Sequence, residues 1–185
     1  VVYIAMADNG SGFGYGRMAG VYRSDDGATF APVLDWNHPF SPWLFSYVAI
    51  ATGCIEYPYI PSQGWHDNAI SVDPLDPMVL WLGGIDVYRS DHGGRTFGLA
   101  AYWMRLEEPP PPSYVHADQH LFTFSPHFDG VTDQTLYLVN DGGIYRTHNA
   151  RAATTQEECP IEPDAGPPPG LLWEDLNHGY AVTQF

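Results

Sequence analysis

The amino-acid sequence predicts an all-β fold. Aromatic residues make up 15% of the chain, and glycine (19) and proline (17) are both frequent, a composition typical of short strands joined by turns. Helical periodicity is missing, whereas short runs of alternating or continuous apolar residues recur along the chain. Related segments follow these runs at intervals, so we expect a repeated β unit.

The repeat is visible in three segments that share an aliphatic residue followed by Tyr, Arg and Ser or Thr. These segments are GVYRSDDGATF (20–30), DVYRSDHGGRTF (86–97) and GGIYRTHNARAA (142–153). The second and third are preceded by a matched pair, WHDNAISVDPLDP and HADQHLFTFSPHFDG. One repeat therefore reads strand, Pro-containing turn, strand, Gly-rich turn, strand, Asp/Gly turn, strand. This pattern is typical of a four-stranded antiparallel blade of a β-propeller.

The chain holds about three such blades, fewer than the four to eight with which propellers close. We expect the end of a first blade in 1–36, a second blade in 37–103, a third in 104–170 and the start of a further blade in 171–185. All belong to one propeller domain. Because an isolated segment would expose sheet edges, we expect further polypeptide to complete the propeller.

The charge balance excludes two classes of partner. Seven Arg and no Lys face 22 acidic residues, for a formal net charge of −15. Such a chain repels phosphate backbones and anionic membranes, so we expect no nucleic-acid binding. No apolar run approaches the roughly 18 residues of a membrane helix, so we expect no membrane insertion. The chain opens on VVYIAMA without an initiator Met, which indicates a mature product or a piece of a longer protein.

The two cysteines, Cys54 and Cys159, are too few and too far apart for a zinc site. A disulfide between them and two unpaired thiols both remain open. The cysteines therefore leave the redox environment of the protein undecided.

The runs SDDGATF and SDHGGRTF resemble the Asp-box of BNR-repeat proteins, which include bacterial sialidases, xyloglucanase-type glycoside hydrolases and sortilin-like receptors. The longer stretches that begin at Gln63 and His116 look like consecutive blades of large secreted bacterial BNR-repeat proteins. In that family LNHGYAVTQF would open the next blade. The resemblance covers nearly the whole chain and implies a propeller that is secreted or exposed at the cell surface. It does not imply an activity, because the box occurs in enzymes and non-enzymes alike.

The Asp-box residues are expected to hold turns. In such a box the carboxylate and hydroxyl groups bond to backbone groups of the turn, glycine adopts a positive φ, and the aromatic residue packs against the blade. This structural role is assigned to Ser24, Asp25, Asp26, Phe30, Ser90, Asp91 and Phe97. The second box has His92 where the usual Asp would stand, and the third copy lacks the Thr-aromatic end. Such variation between the copies is typical of a hairpin that has a structural role.

The run NDGGIYR (140–146) resembles the Asp-x-Gly-Gly segment in which xyloglucanase-type enzymes carry a catalytic Asp. The resemblance implies that Asp141 is one of the paired carboxylates of a glycoside hydrolase. Asp86 in GGIDVYR is its rough equivalent in the preceding repeat. The alternative, which we favour, is that Asp141 forms an Asx turn at a strand end, because non-catalytic blades of the family carry the same segment.

The run HADQH places His116, Asp118 and His120 at alternate positions. On a strand these side chains would share a face and could converge on a metal ion. The related GWHDNA retains only the Asp, with His66 next to it. A polar network between blades is the favoured alternative, so no cofactor is expected. If a divalent ion binds, Asp-rich loops would suit Ca²⁺.

Three Pro-bearing insertions, 51–64, 107–119 and 159–170, fall at points where repeat proteins usually bind ligands. Aromatic residues in or near the insertions could stack on sugar rings, or they could pack between blades. The candidates are Trp43, Tyr57, Tyr59, Trp65 and Tyr114. The negative net charge favours a neutral glycan over a polyanionic one.

These observations together favour a secreted BNR-type propeller that recognises neutral carbohydrate, with glycoside hydrolysis as an extension of that function. The alternative is a non-catalytic propeller that binds an extracellular protein or serves in adhesion. The two differ in a structural requirement. Hydrolysis needs two carboxylates about 5–10 Å apart in an open cleft, whereas a binding module needs only an aromatic or apolar patch.

Overall fold

The computed structural model describes residues 1–8, 16–35, 62–101, 103, 112–154 and 170–179. Within these ranges the chain forms strands and turns but no helix, which confirms the predicted all-β class. The part of the chain that is described therefore contains no helix able to span a membrane. Cys54 and Cys159 lie outside the described residues.

The described strands form three antiparallel sheets, and each sheet is built from strands that follow one another in sequence. The first sheet contains β1 (Val2–Ala7), β2 (Met18–Ser24) and β3 (Ala31–Asp35). The second contains β4 (Ala69–Val72), β5 (Leu80–Gly83), β6 (Val87–Ser90) and β7 (Gly98–Ala101). The third contains β8 (Gln119–Phe124), β9 (Leu136–Asn140), β10 (Gly143–Thr147) and β11 (Trp173–Asp175). Each sheet is therefore a meander of neighbouring strands.

Each of the three repeated segments lies in a different sheet, and the third sheet extends beyond the range 104–170. The second sheet lies inside the range 37–103 that was expected to form one blade. The third sheet extends past the boundary expected at residue 170, because β11 pairs with β10 through Thr147 and Trp173. Part of the range expected to open a further blade is thus the outer strand of the third sheet.

The second sheet is buried on both faces. Successive side chains of a strand point to opposite faces, so Leu80 and Leu82 of β5 pack against the first sheet and Trp81 packs against the third. The ring centroid of Trp81 lies 6.0 Å from that of Phe122 and 6.2 Å from that of Trp173. This double burial explains why LWLG is a continuous apolar run.

Arginine side chains fasten the second sheet to the third. The Arg89 guanidinium donates to the backbone carbonyls of Ala150 (2.6 Å) and Ala152 (2.7 Å). Arg151 pairs with the buried carboxylate of Asp73 at 2.8 Å. These bonds join residues that are far apart in sequence, so they fix how the two sheets stack.

The first Asp-box turn is closed by Ser24 and Asp26. Ser24 Oγ donates to Asp26 Oδ1 (2.9 Å) and accepts from the Gly27 amide (2.9 Å). Asp26 Oδ1 also accepts from the amides of Ala28 (2.8 Å) and Thr29 (2.7 Å). Hydrogen bonds from the Thr29 and Ala28 amides hold the pKa of Asp26 well below its ordinary value. Gly27 has a φ of 75°, the left-handed conformation that the turn requires.

The second Asp-box turn uses its serine in the same way, but it has His92 at the position of Asp26. Ser90 Oγ accepts from the amides of His92 (3.1 Å) and Gly94 (2.9 Å). Asp91 pairs with Arg89, with Oδ1 2.8 Å from Nε. Asp91 therefore holds the arginine that bridges the second and third sheets.

Asp25 of the first box also pairs with an arginine, since its Oδ1 lies 2.9 Å from Arg23 Nε. The two aromatic residues differ in burial. Phe97 is 2% exposed within the core between the first two sheets, whereas Phe30 is 36% exposed. The described sheets cover both faces of the second sheet but only one face of the first, which explains the difference.

We expect Trp81→Ala to lower the free energy of unfolding by about 3–5 kcal/mol, because it leaves a cavity between the second and third sheets. Urea unfolding followed by tryptophan fluorescence and circular dichroism measures this loss. The control is Leu75→Ala, whose side chain is 56% exposed in the β4–β5 turn. A similar loss in both variants would contradict the double burial of the second sheet.

Candidate functional site at one end of the second and third sheets

Three chain segments meet where the second and third sheets adjoin. Residues 65–68 come directly before β4, His120 lies at the start of β8, and Asp141 lies in the turn between β9 and β10. β4 lies beside β8, and Gln119 of β8 pairs with Asn140 of β9. The sheet architecture therefore brings these segments together although they are distant in sequence.

The centre of the site is a group of three side chains, His66, His120 and Asp141, called here the His–Asp cluster. His120 Nε2 lies 2.6 Å from Asp141 Oδ1, and His66 Nε2 lies 3.5 Å from Asp141 Oδ2. The two imidazole rings meet edge to face with centroids 5.1 Å apart. One ligand atom from each residue lies within 4.8 Å of the other two, and no other group of three His, Cys, Asp or Glu residues in the described ranges has this spacing.

Two buried amide side chains next to the cluster, those of Gln119 and Asn140, hold the backbone around it through hydrogen bonds. Gln119 Nε2 donates to the carbonyls of Ile85 (2.9 Å) and His116 (2.8 Å). Asn140 Nδ2 donates to the same His116 carbonyl (2.8 Å) and to Gln119 Oε1 (3.1 Å). Because each amide satisfies several buried carbonyls, the start of β8 is held firmly against the β9–β10 turn.

Two further carboxyl groups, those of Asp67 and Asp118, lie next to the cluster and share a partner. Gln63 Nε2 hydrogen-bonds Asp118 Oδ1 and lies 3.5 Å from Asp67 Oδ2. Burial, together with the charges of Asp118 and Asp141, raises the pKa of Asp67 to about 8. Burial and the charge of Asp141 also raise the pKa of Asp118. Of these two carboxyl groups, Asp67 therefore resists ionisation more than an ordinary aspartate does.

The Asp141 carboxyl differs from both, because its ionised form is favoured. Burial by itself would raise its pKa, but the contacts with His120 and His66 outweigh burial and lower the pKa below its ordinary value. An ionised Asp141 therefore faces two imidazole nitrogens.

The predicted trio of His116, Asp118 and His120 does not converge on one point. β8 begins only at Gln119, and Asp118 has a φ of 67°, the single positive φ among described residues other than glycine. The strand alternation that would align the three side chains therefore does not extend back to His116. His116 Nδ1 instead lies 3.1 Å from the carbonyl of Ala117. Of the trio, only His120 joins the cluster.

His66 was missed as a member of the site by the sequence reasoning, which placed it beside the candidates. The signal was present in the matched runs GWHDNA and HADQH, which precede equivalent strands of two adjacent sheets. Since β4 and β8 lie side by side, residues at the starts of both runs come together.

The aromatic candidates have different environments. Trp65 is 60% exposed, and its ring centroid lies 5.6 Å from that of His66. Tyr114 is half-buried, and its ring lies edge to face with buried Tyr145 at 6.4 Å, so it packs at the margin of the core. The remaining candidates, Trp43, Tyr57 and Tyr59, lie outside the described residues.

Asp86, the rough equivalent of Asp141 in the preceding repeat, has a structural environment. Its side chain is fully buried, and its Oδ1 accepts a hydrogen bond from the Trp103 amide at 3.1 Å. Asp86 is therefore fully buried in the β5–β6 turn, whereas Asp141 in the equivalent β9–β10 turn contacts two histidines.

Comparisons of the chain with protein-family profiles, with curated protein sequences and with solved structures found no match. The resemblance of the Asp-box segments to BNR-repeat proteins stays a prediction. The function proposed below is argued from the geometry of the described residues together with that resemblance.

Proposed function

We propose that the chain is a segment of a secreted or cell-surface β-propeller of the BNR type and that it recognises neutral carbohydrate. Three consecutive meanders that stack face to face support the propeller. The observation that carries the binding function is the exposed indole of Trp65 beside the polar His–Asp cluster.

The site offers the two kinds of contact that carbohydrates need. The face of an exposed indole stacks on the apolar face of a sugar ring, and nearby carboxylate, amide and imidazole groups bond its hydroxyls. Trp65 supplies the first, and the cluster with Gln63 supplies the second. A net charge of −15 disfavours sialylated or sulfated glycans, so the ligand class is neutral.

The first sheet presents an exposed apolar face on the side away from the second sheet. Val2, Ile4 and Met6 alternate along β1 with Tyr3, which packs into the core. Such a row of apolar side chains is typical of a surface that another layer covers.

The third sheet presents a comparable face at the other end of the stack. Leu121, Val139 and Ile144 are direct partners across β8, β9 and β10, and Leu121 and Ile144 are exposed. The second sheet shows what covers such a face, namely a neighbouring sheet of the same kind. We therefore propose that further propeller sheets cover both ends of the stack.

The second candidate function, a non-catalytic propeller that binds an extracellular protein, would place that protein on one of these exposed faces in place of a further propeller sheet. This candidate does not use Trp65 or the His–Asp cluster. Binding experiments with glycans therefore separate the two functions.

We expect Trp65→Ala to weaken the binding of neutral oligosaccharides by about fivefold, because it removes a stacking interaction worth about 1 kcal/mol. A glycan array that includes neutral and sialylated glycans identifies the ligand, and isothermal titration calorimetry measures its affinity. Phe30→Ala, which removes an exposed aromatic ring from the β2–β3 turn, is the matched control. Failure of the wild-type chain to bind any neutral glycan would favour the protein-binding candidate.

Hydrolysis of the bound glycan would depend on Asp141. If the chain releases reducing ends, we expect Asp141→Asn to slow the release by about 10²–10⁴-fold, because the amide can neither act as a base nor carry the charge of a nucleophile. Asp25→Asn, a change of the same kind in the exposed Asp-box turn, should leave the rate unchanged. Equal rates for Asp141→Asn and the wild type would remove Asp141 from the catalytic role.

The exposed sheet faces predict self-association of the isolated chain. We expect native mass spectrometry to find species heavier than 20.5 kDa, and Ile4→Asp or Ile144→Asp to shift the distribution towards monomer, since a charge on either face opposes its burial. Leu75→Asp, in the exposed β4–β5 turn, is the control. A wild-type chain that is entirely a stable monomer would contradict the incomplete propeller.

A further inference from the structure

We propose that His66, His120 and Asp141 form a binding site for one divalent transition-metal ion of the zinc type. The proposal goes beyond carbohydrate recognition and does not depend on it, because it uses none of the aromatic residues. It rests on the spacing of three ligand atoms, on buried polar atoms that lack hydrogen bonds, and on the chemistry of the donors.

One of the three pairs of ligand atoms already has the spacing that a small metal ion requires, and all three atoms lie within 4.8 Å of one another. Zinc bound at about 2.0–2.2 Å in tetrahedral geometry holds its ligand atoms about 3.3–3.6 Å apart. His66 Nε2 and Asp141 Oδ2 are 3.5 Å apart. His120 Nε2 and Asp141 Oδ1 are 2.6 Å apart, so this pair must open by only about 1 Å to hold an ion between them.

Two buried polar atoms at the site lack hydrogen bonds. His66 Nε2 is buried, and apart from its 3.5 Å contact with Asp141 Oδ2 it has no partner within the described part of the chain. Oδ1 of the fully buried Asp67, the next residue, likewise makes no hydrogen bond to any described group. Buried polar atoms are usually satisfied, so an imidazole nitrogen that faces a carboxylate without a hydrogen bond indicates a further ligand at that point.

The surrounding structure holds the three ligands in place. His120 and Asp141 follow directly after Gln119 and Asn140, whose amide side chains bond to each other and to the His116 carbonyl. A metal site depends on such supporting hydrogen bonds because they fix the orientation of the ligands before the ion binds.

The donor set selects the class of metal. Two imidazole nitrogens and one carboxylate oxygen suit zinc and neighbouring transition metals, which accept nitrogen ligands. Ca²⁺ requires six to eight oxygen ligands and is disfavoured at this site. Three protein ligands leave at least one coordination position for water or for another ligand, as in zinc sites that are not purely structural.

The test is metal binding by the full chain, purified without a histidine tag and stripped with a chelator. We expect Co²⁺ to produce visible absorption bands that saturate at one ion per chain, Zn²⁺ to displace it, and Ca²⁺ to leave the bands unchanged. His120→Gln and His66→Gln should each weaken Co²⁺ binding by about 100-fold. His127→Gln, which changes an exposed histidine in the β8–β9 turn, is the control and should bind like the wild type.

Circular dichroism and thermal unfolding of each stripped variant establish that it is folded. Zn²⁺ should raise the unfolding temperature of the wild type and of His127→Gln but not that of His66→Gln or His120→Gln. Absence of one-to-one binding by the wild type, or binding that survives both cluster substitutions, would overturn the proposal. Trp65→Ala should retain the metal, so failure of carbohydrate binding and failure of metal binding are distinguishable.

Discussion

The rest of the structure depends on the burial of the second sheet on both of its faces. β5 places Leu80 and Leu82 on one side and Trp81 on the other, so this strand can be buried only between two other sheets. The first and third sheets supply those two surfaces. Once the sheets are stacked in this way, β4 must lie beside β8, and the ends of the second and third sheets become neighbours.

The polar site forms where these two sheet ends lie next to each other. Apolar packing dominates the middle of the sheets, and the side chains of the His–Asp cluster lie at one end of them. There Gln119 and Asn140 satisfy buried carbonyls, and Asp141 is stabilised in its ionised form by His120 and His66. Asp118, at the same place, adopts the left-handed conformation with a φ of 67°, which aspartate tolerates better than most residues.

The Asp-box turns show how a repeated hairpin tolerates change in its residues. Both turns keep a serine hydroxyl that accepts amide hydrogen bonds. In both turns the residue after the serine, Asp25 or Asp91, pairs with an arginine of the strand. Asp26 also closes the first turn, whereas the second turn has His92 at that position. The requirement is that the turn amides and the arginine find acceptors, and more than one arrangement of side chains meets it.

Local patterns were sufficient to predict the all-β class, antiparallel strands joined by short turns, and the concentration of His and Asp residues near the starts of strands. These features depend on strand alternation and turn chemistry, which neighbouring residues encode. Local patterns did not predict that β11 completes the third sheet, that Phe97 is buried while Phe30 is exposed, or that His66 replaces His116 and Asp118 beside His120. Each of these outcomes depends on which sheet faces which, and that is decided by packing between residues far apart in the chain.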